Sequence, residues 1–243
     1  MPAKRLNDSA LGAFERPALA WMADRLPSSL TPDRLTLIGI AGAVTAAAGY
    51  LASHWSLEWL WLACAGLVVN WAGDSLDGTI ARARDIQRPR YGFFVDHTSD
   101  LFSQCLIFLT LGLSPCAHFS IACLGVIAFL MAFVYSLICV EVRNTLRITY
   151  FGFGPTEIRA LLIAGNLITL GAGVLDVGQA LGLHGLFGPV TIYEIVIVML
   201  FTIAIPALLV LALRERRALA IEDPPRVPLN DVPLNDAVSA AQQ

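Results

Sequence analysis

The cations of this chain are not spread along it. All 16 lysines and arginines fall in four stretches: the N-terminal 34 residues, Arg82 to Arg90, Arg143 to Arg159, and the tail from Arg214 onward. Between these stretches lie apolar runs, each close to the ~17–25 residues needed to cross a bilayer. The breaks divide the runs into six spans, at residues 35–52, 57–72, 93–113, 117–140, 158–175 and 190–213. Composition agrees: the chain is 56% hydrophobic and 14% charged, as an integral membrane protein is and a soluble domain is not. The expected fold class is all-α, with six transmembrane helices behind an N-terminal amphipathic juxtamembrane helix.

Orientation follows from the same distribution. The loops at 53–56, 114–117 and 176–189 hold no Lys or Arg, so the positive-inside rule places both termini in the cytoplasm. A bacterial cytoplasmic membrane is the expected location, and no nucleic-acid partner is expected. Three parts result: a cytoplasmic segment at 1–34, a transmembrane catalytic domain at 35–213 and a flexible cytoplasmic tail at 214–243. The tail holds Pro224, Pro225 and a doubled Val-Pro-Leu-Asn-Asp at 227–231 and 232–236, a composition unsuited to packing. In the N-terminal segment Leu11, Phe14, Ala18, Trp21 and Met22 fall near helical spacing. Pro17 predicts a kink there or a helix that starts at it. Met1 to Arg34 has no apolar core of the length a cleavable signal peptide needs. Thr31-Pro32-Asp33 reads as a helix start, with Thr31 as N-cap and Pro32 in the first helical position. The five cysteines form no C-x-x-C pair and read as small buried hydrophobes.

Against this apolar background four carboxylates stand out: Asp74, Asp77, Asp96 and Asp100. Asp74 and Asp77 are i and i+3, neighbours on one helical face. Gly92, Asp96 and Asp100 step by only about 40° per interval around a helix. Two helices can therefore turn a pair of acids each toward one cleft. An ionised Asp near hydrocarbon costs at least ~2.5–3.5 kcal/mol and marks function by default. Four together repel, so either some are protonated or cations neutralise them. Oxygen donors without a Cys or His pair favour Mg²⁺ or Mn²⁺ over Zn²⁺.

The pattern Asp74-x-x-Asp77-Gly78-x-x-Ala81-Arg82, followed by Gly92-x-x-x-Asp96-x-x-x-Asp100, resembles the signature of the CDP-alcohol phosphotransferases (CDP-alcohol phosphatidyltransferases). The resemblance implies attack by an alcohol on the β-phosphorus of a CDP-alcohol, most readily CDP-diacylglycerol, with CMP leaving and two divalent cations, Mg²⁺ or Mn²⁺, bound. It implies Asp74, Asp77 and Asp96 as metal ligands, with Asp100 completing the site and acting as general base. Gly78, Ala81, Arg82 and Gly92 would bind the CDP-alcohol: small residues allow close approach, and the guanidinium can grip a phosphate. His97 is a second candidate base. Arg143, Arg147 and Arg159 form a possible acceptor site, with membrane anchoring as the bland alternative. The family also implies a homodimer in the lipid bilayer.

Two other readings remain open at this point. A CDP-choline or CDP-ethanolamine phosphotransferase would pass its head group to diacylglycerol, and the Asp96-His97 pair leans that way. A cation transporter would explain the acids, but not Gly78, Ala81 and Arg82 at their spacing. The polar residues such a path would need in spans two and three, Asn70, Ser103, Gln104 and Thr110, are few.

Overall fold

A computed structural model describes residues 4–6, 11–143, 145–147, 154–180 and 189–224. Its elements are β1 (Lys4–Leu6), α1 (Gly12–Arg25), α2 (Pro32–Ala52), α3 (Leu60–Ala83), α4 (Pro89–Gly112), α5 (Phe119–Arg143), β2 (Thr145–Arg147), α6 (Pro155–Ala172), the single turn α7 (Val177–Ala180) and α8 (Ile192–Glu222). The chain divides into two compact units, residues 1–204 and residues 205–243. The first contains every site considered below. The second holds the C-terminal part of α8.

The all-α expectation holds for nearly all of this, with one addition. β1 and β2 pair in parallel, Lys4 opposite Thr145 and Leu6 opposite Arg147. Among the described residues, three helices, α2, α5 and α8, are long and apolar enough to cross a membrane by length and composition. The apolar windows of α5 and α8 are only 11% buried within the chain, so their outer faces need an apolar surrounding. Helices α3, α4 and α6 are 24, 24 and 18 residues long and carry the charged residues of the site.

Several helix boundaries differ from those expected. Helix α1 starts at Gly12 and runs through Pro17, which forgoes one backbone hydrogen bond. Nor is α1 cleanly two-faced. Leu19 and Ala23 are buried against Leu76 and Ile80 of α3, while Trp21 is exposed. Packing on a neighbouring helix seats it. Helix α3 continues past the expected end of its apolar run at residue 72 and carries Asp74, Asp77 and Arg82 without a break. Helix α8 continues to Glu222, so the expected tail begins as helix; the doubled pentapeptide lies outside the described residues.

The N-cap reading is borne out. Thr31 Oγ1 accepts a hydrogen bond from the Arg34 amide at 3.3 Å, and Pro32 opens α2. At its other end α3 stops in a Schellman motif. Asp85 takes a left-handed conformation (φ 54°), its amide bonds to the Arg82 carbonyl at 3.3 Å, and the Ile86 amide bonds to the Ala81 carbonyl at 3.1 Å. These bonds satisfy carbonyls that a helix end leaves open.

The α2–α3 contact fixes the frame of the first unit. A Cβ added at Gly42, Gly49, Gly66 or Gly73 would fall under 3.0 Å from facing backbone atoms. The two backbones meet directly, as small residues permit in membrane helices. Asn70 locks the register, its Nδ2 donating to the Gly39 carbonyl at 2.9 Å. Gly66→Val should therefore lower the stability of the purified protein by about 3 kcal/mol or more, since overpacking here meets backbone that cannot repack. Gly171→Ala, where a Cβ would meet nothing within 4 Å, should be close to neutral. Thermal unfolding of both variants in detergent reads the difference.

Candidate active site between α3 and α4

Helix α2 packs against both α3 and α4, whereas α3 and α4 touch each other little. The gap between them is a cleft of about 1630 Å³. Asp74, Asp77, Gly78, Ala81 and Arg82 line it from α3; Gly92, Asp96, His97 and Asp100 line it from α4. The helical spacing of the two motif halves thus delivers both sets to one space.

One oxygen each from Asp74, Asp96 and Asp100 lies within 4.8 Å of the others, all three side chains half-buried. The fourth acid is set apart. Asp77 Oδ2 accepts a hydrogen bond from Thr36 Oγ1 of α2 at 2.6 Å, and its Oδ1 accepts the Gly78 amide. Asp77 faces the same cleft, but it stands outside the group of three.

The carboxylates have a built-in counter-ion. Arg159 of α6 is 2% exposed. Its Nη1 donates to Asp74 Oδ2 at 2.8 Å, its Nη2 lies 3.6 Å from Asp100 Oδ1, and its Nε donates to Asn70 Oδ1 at 2.8 Å. Asn70 in turn holds α2 through the Gly39 carbonyl, so one polar chain ties α2, α3, α4 and α6 together.

The other candidates separate. A Cβ at Gly92 would meet nothing within 4 Å, and one at Gly78 would meet only the Arg82 side chain on its own helix. Gly92 therefore relieves no crowding between helices. Both glycines leave open cleft. Arg82 is exposed at the mouth, its Nη2 donating to Thr79 Oγ1 at 3.2 Å. The His97 ring stacks on Phe93 with centroids 4.0 Å apart, and its Nδ1 lies 3.5 Å from Asp96 Oδ2. Of the three arginines considered for an acceptor site, Arg159 reaches the carboxylates. Arg143 ends α5 and is not among the described residues lining the cleft; the Arg147 side chain lies outside the described residues.

Several contributors were not legible as site residues. Glu15 of α1 lines the cleft, and its Oε1 accepts from Trp71 Nε1 at 2.7 Å, Ser75 Oγ at 2.9 Å and Thr156 Oγ1 at 3.3 Å. Glu157 sits in the first turn of α6, where its Oε2 accepts the Gly154 amide at 2.9 Å. Its Oε1 also accepts the Leu11 amide at 3.0 Å. Two cations of the basic loop brace the fold. Arg84 donates to the carbonyls of Leu30 and Leu26 at 2.7 and 2.9 Å, and Arg88 pairs with Asp33 at 2.5 Å. Spacing gave a signal for Asn70, four residues before Asp74. For Glu15 the sequence held none, because its partners lie on distant helices.

With this geometry in view, comparison with known families is decisive. The family model for CDP-alcohol phosphatidyltransferase matches residues 29–213. The chain belongs to this family. No curated protein matches it. As a CDP-alcohol phosphatidyltransferase it is an enzyme, a transferase of substituted phosphate groups that acts in a membrane. The family is typically dependent on divalent metal. The donor set suits a hard cation: three carboxylates converge without a thiolate, and oxygen ligands favour Mg²⁺ or Mn²⁺.

Two outcomes follow for this phosphatidyltransferase. Arg159→Met leaves Asp74 and Asp100 facing each other without their cation, so the metal-free protein should lose about 3–5 kcal/mol. Mn²⁺ should restore more of that loss in the variant than it adds to the parent, as read by unfolding with and without the ion. Glu15→Ala should cost about 1–3 kcal/mol by stranding the Trp71 and Ser75 donors, and should make α1 more open to limited proteolysis.

Proposed function

We propose that this enzyme moves a phosphatidyl group from CDP-diacylglycerol to the hydroxyl of an acceptor alcohol and releases CMP. The observation that carries the reading is the convergence of Asp74, Asp96 and Asp100 oxygens within 4.8 Å, in a cleft that Gly78 and Gly92 leave open. Six helices cross the bilayer on this reading, with both termini and the mouth of the cleft facing the cytoplasm, and the enzyme works as a homodimer. The support for this orientation is the confinement of Lys and Arg to alternate connections.

The chemistry needs little covalent help and much positioning. Asp74, Asp77, Asp96 and Asp100 would hold two divalent cations, which supply charge neutralisation to the diphosphate and to the departing CMP. Thr36 Oγ1 and the Gly78 amide, each bonded to one oxygen of Asp77, would hold that carboxylate in place for its part. Arg82 holds a phosphate oxygen at the mouth, and Gly78 and Ala81 let the nucleotide lie against α3. The acceptor oxygen bonds to the phosphorus bearing the lipid alcohol as the bond to the bridging oxygen breaks, and that oxygen leaves on CMP. Asp100 takes the hydroxyl proton. Arg159 keeps Asp74 and Asp100 turned inward throughout.

One observation favours a second arrangement: His97 lies beside Asp96, as in enzymes that pass a CDP-linked head group to diacylglycerol. A panel separates the two. Purified protein with Mn²⁺ should release CMP from CDP-diacylglycerol with a small polar alcohol. Release only from CDP-choline or CDP-ethanolamine with diacylglycerol would establish the second. No release from any pair would overturn both and revive ion transport. Asp96→Asn should lower turnover by about 10²–10³-fold without unfolding the protein, and chelation with EDTA should stop turnover reversibly.

A further inference from the structure

Among the described residues, a buried side-chain amide bordering the cleft has no hydrogen-bond partner. Gln104 of α4 is 1% exposed, and neither its Nε2 nor its Oε1 makes a hydrogen bond. Leaving such an amide unsatisfied costs about 1–3 kcal/mol per group, and unpartnered buried groups of this kind need a reason. The side chain borders the cleft. It sits four residues beyond Asp100 on the same helical face, one turn or about 6 Å further along α4. Around it the lining turns apolar, with Phe108, Gly125, Ala128, Ile197 and Leu200.

A polar group set in an apolar wall one turn below the carboxylates selects the chemistry of its ligand. A diphosphate or a sugar belongs with the acids and arginines nearer the mouth. An acyl chain offers nothing to an amide. The group that lies between phosphate and acyl chain, a few covalent bonds from each, is the ester carbonyl of a diacylglycerol. It accepts a hydrogen bond and tolerates apolar surroundings.

We propose that Gln104 Nε2 donates to an ester carbonyl of the diacylglycerol unit of the lipid substrate, and so sets the depth at which the reacting phosphate or hydroxyl stops. The inference rests on the function proposed above. The diacylglycerol unit has two sources, the donor CDP-diacylglycerol or free diacylglycerol as acceptor. A buried water in place of the lipid would satisfy the same amide, but would be indifferent to how the chains are linked.

The linkage is therefore the test. Full-length protein in detergent is given CDP-dioleoylglycerol or its ether-linked analogue, which has the same chains and no carbonyls. The KM for CMP release should be about tenfold higher for the ether donor, with kcat unchanged. Gln104→Leu should raise the ester donor's KM to that of the ether donor and leave the ether donor's KM where it was. Equal KM values for the two donors in the parent protein would overturn the proposal for the donor. The same comparison with dioleoylglycerol and its ether analogue as acceptors then decides for the other source, and equality there as well overturns it altogether. A Gln104→Leu loss of equal size for ester and ether lipids would also overturn it. Should the variant not fold, the parent's ester-to-ether ratio still decides. Should no lipid yield CMP, the function proposed above fails by itself. The rise in melting temperature with ester-linked against ether-linked lipid then tests Gln104 independently, equal rises refuting its role.

Discussion

The site depends on two helices being allowed to touch at the backbone. Where α2 and α3 meet, side chains are absent, and main-chain atoms face main-chain atoms along Gly42, Gly49, Gly66 and Gly73. Such contact sets the rotation and axial position of α3 closely, because no flexible side chain can absorb a slip. Three features of the cleft follow from that placement. Thr36 comes within hydrogen-bonding distance of Asp77, Asn70 reaches the Gly39 carbonyl, and Asp74 faces Arg159. A wider α2–α3 spacing, of the kind leucines would impose, would break the first two together.

Charge is handled by the same economy. Bringing acids together beside hydrocarbon is unfavourable unless cations answer them. Arg159, buried and hydrogen-bonded to Asn70, is a fixed cation that answers them. Asp74 and Asp100 share it, whereas Asp77 is held by a hydroxyl. The four acids of the motif are thus not equivalent. Two are ion-paired, one is fixed by Thr36, and Asp96 stands beside His97. A resident set of metal ions would enter an arrangement already partly neutralised, which limits the repulsion among the acids.

What was legible in the sequence divides along a physical line. Periodicity and cation placement located the long helices, and i, i+3 and i, i+4 spacing placed Asp74 with Asp77 and Asp96 with Asp100. These are local properties. Which acid would stand apart was not local, since it turns on Thr36 from another helix. The roles of Arg159 and Glu15 were hidden for the same reason: their partners are 85 and 56–141 residues away. Two helices run well past the expected ends of their apolar runs. Hydropathy marks where the apolar run stops, while the helix continues until a cap or a turn ends it. Hence α3 extends through its acids to Ala83, where the turn at Asp85 ends it, and α8 extends through Arg214 and Arg217 to Glu222.

The long reach of the Asp74–Arg159 pair has a consequence for biosynthesis. A chain made from its N-terminus presents α3, with its acids, well before the ribosome has produced the arginine that answers them. Until α6 arrives, those acids must stay protonated, remain near the membrane surface, or borrow a cation from solution. The first strand waits as well, because β1 finds its partner only when residues 145–147 have been made. The α2–α3 hairpin can therefore form early, while closure of the acidic chamber is a late event in the birth of the protein.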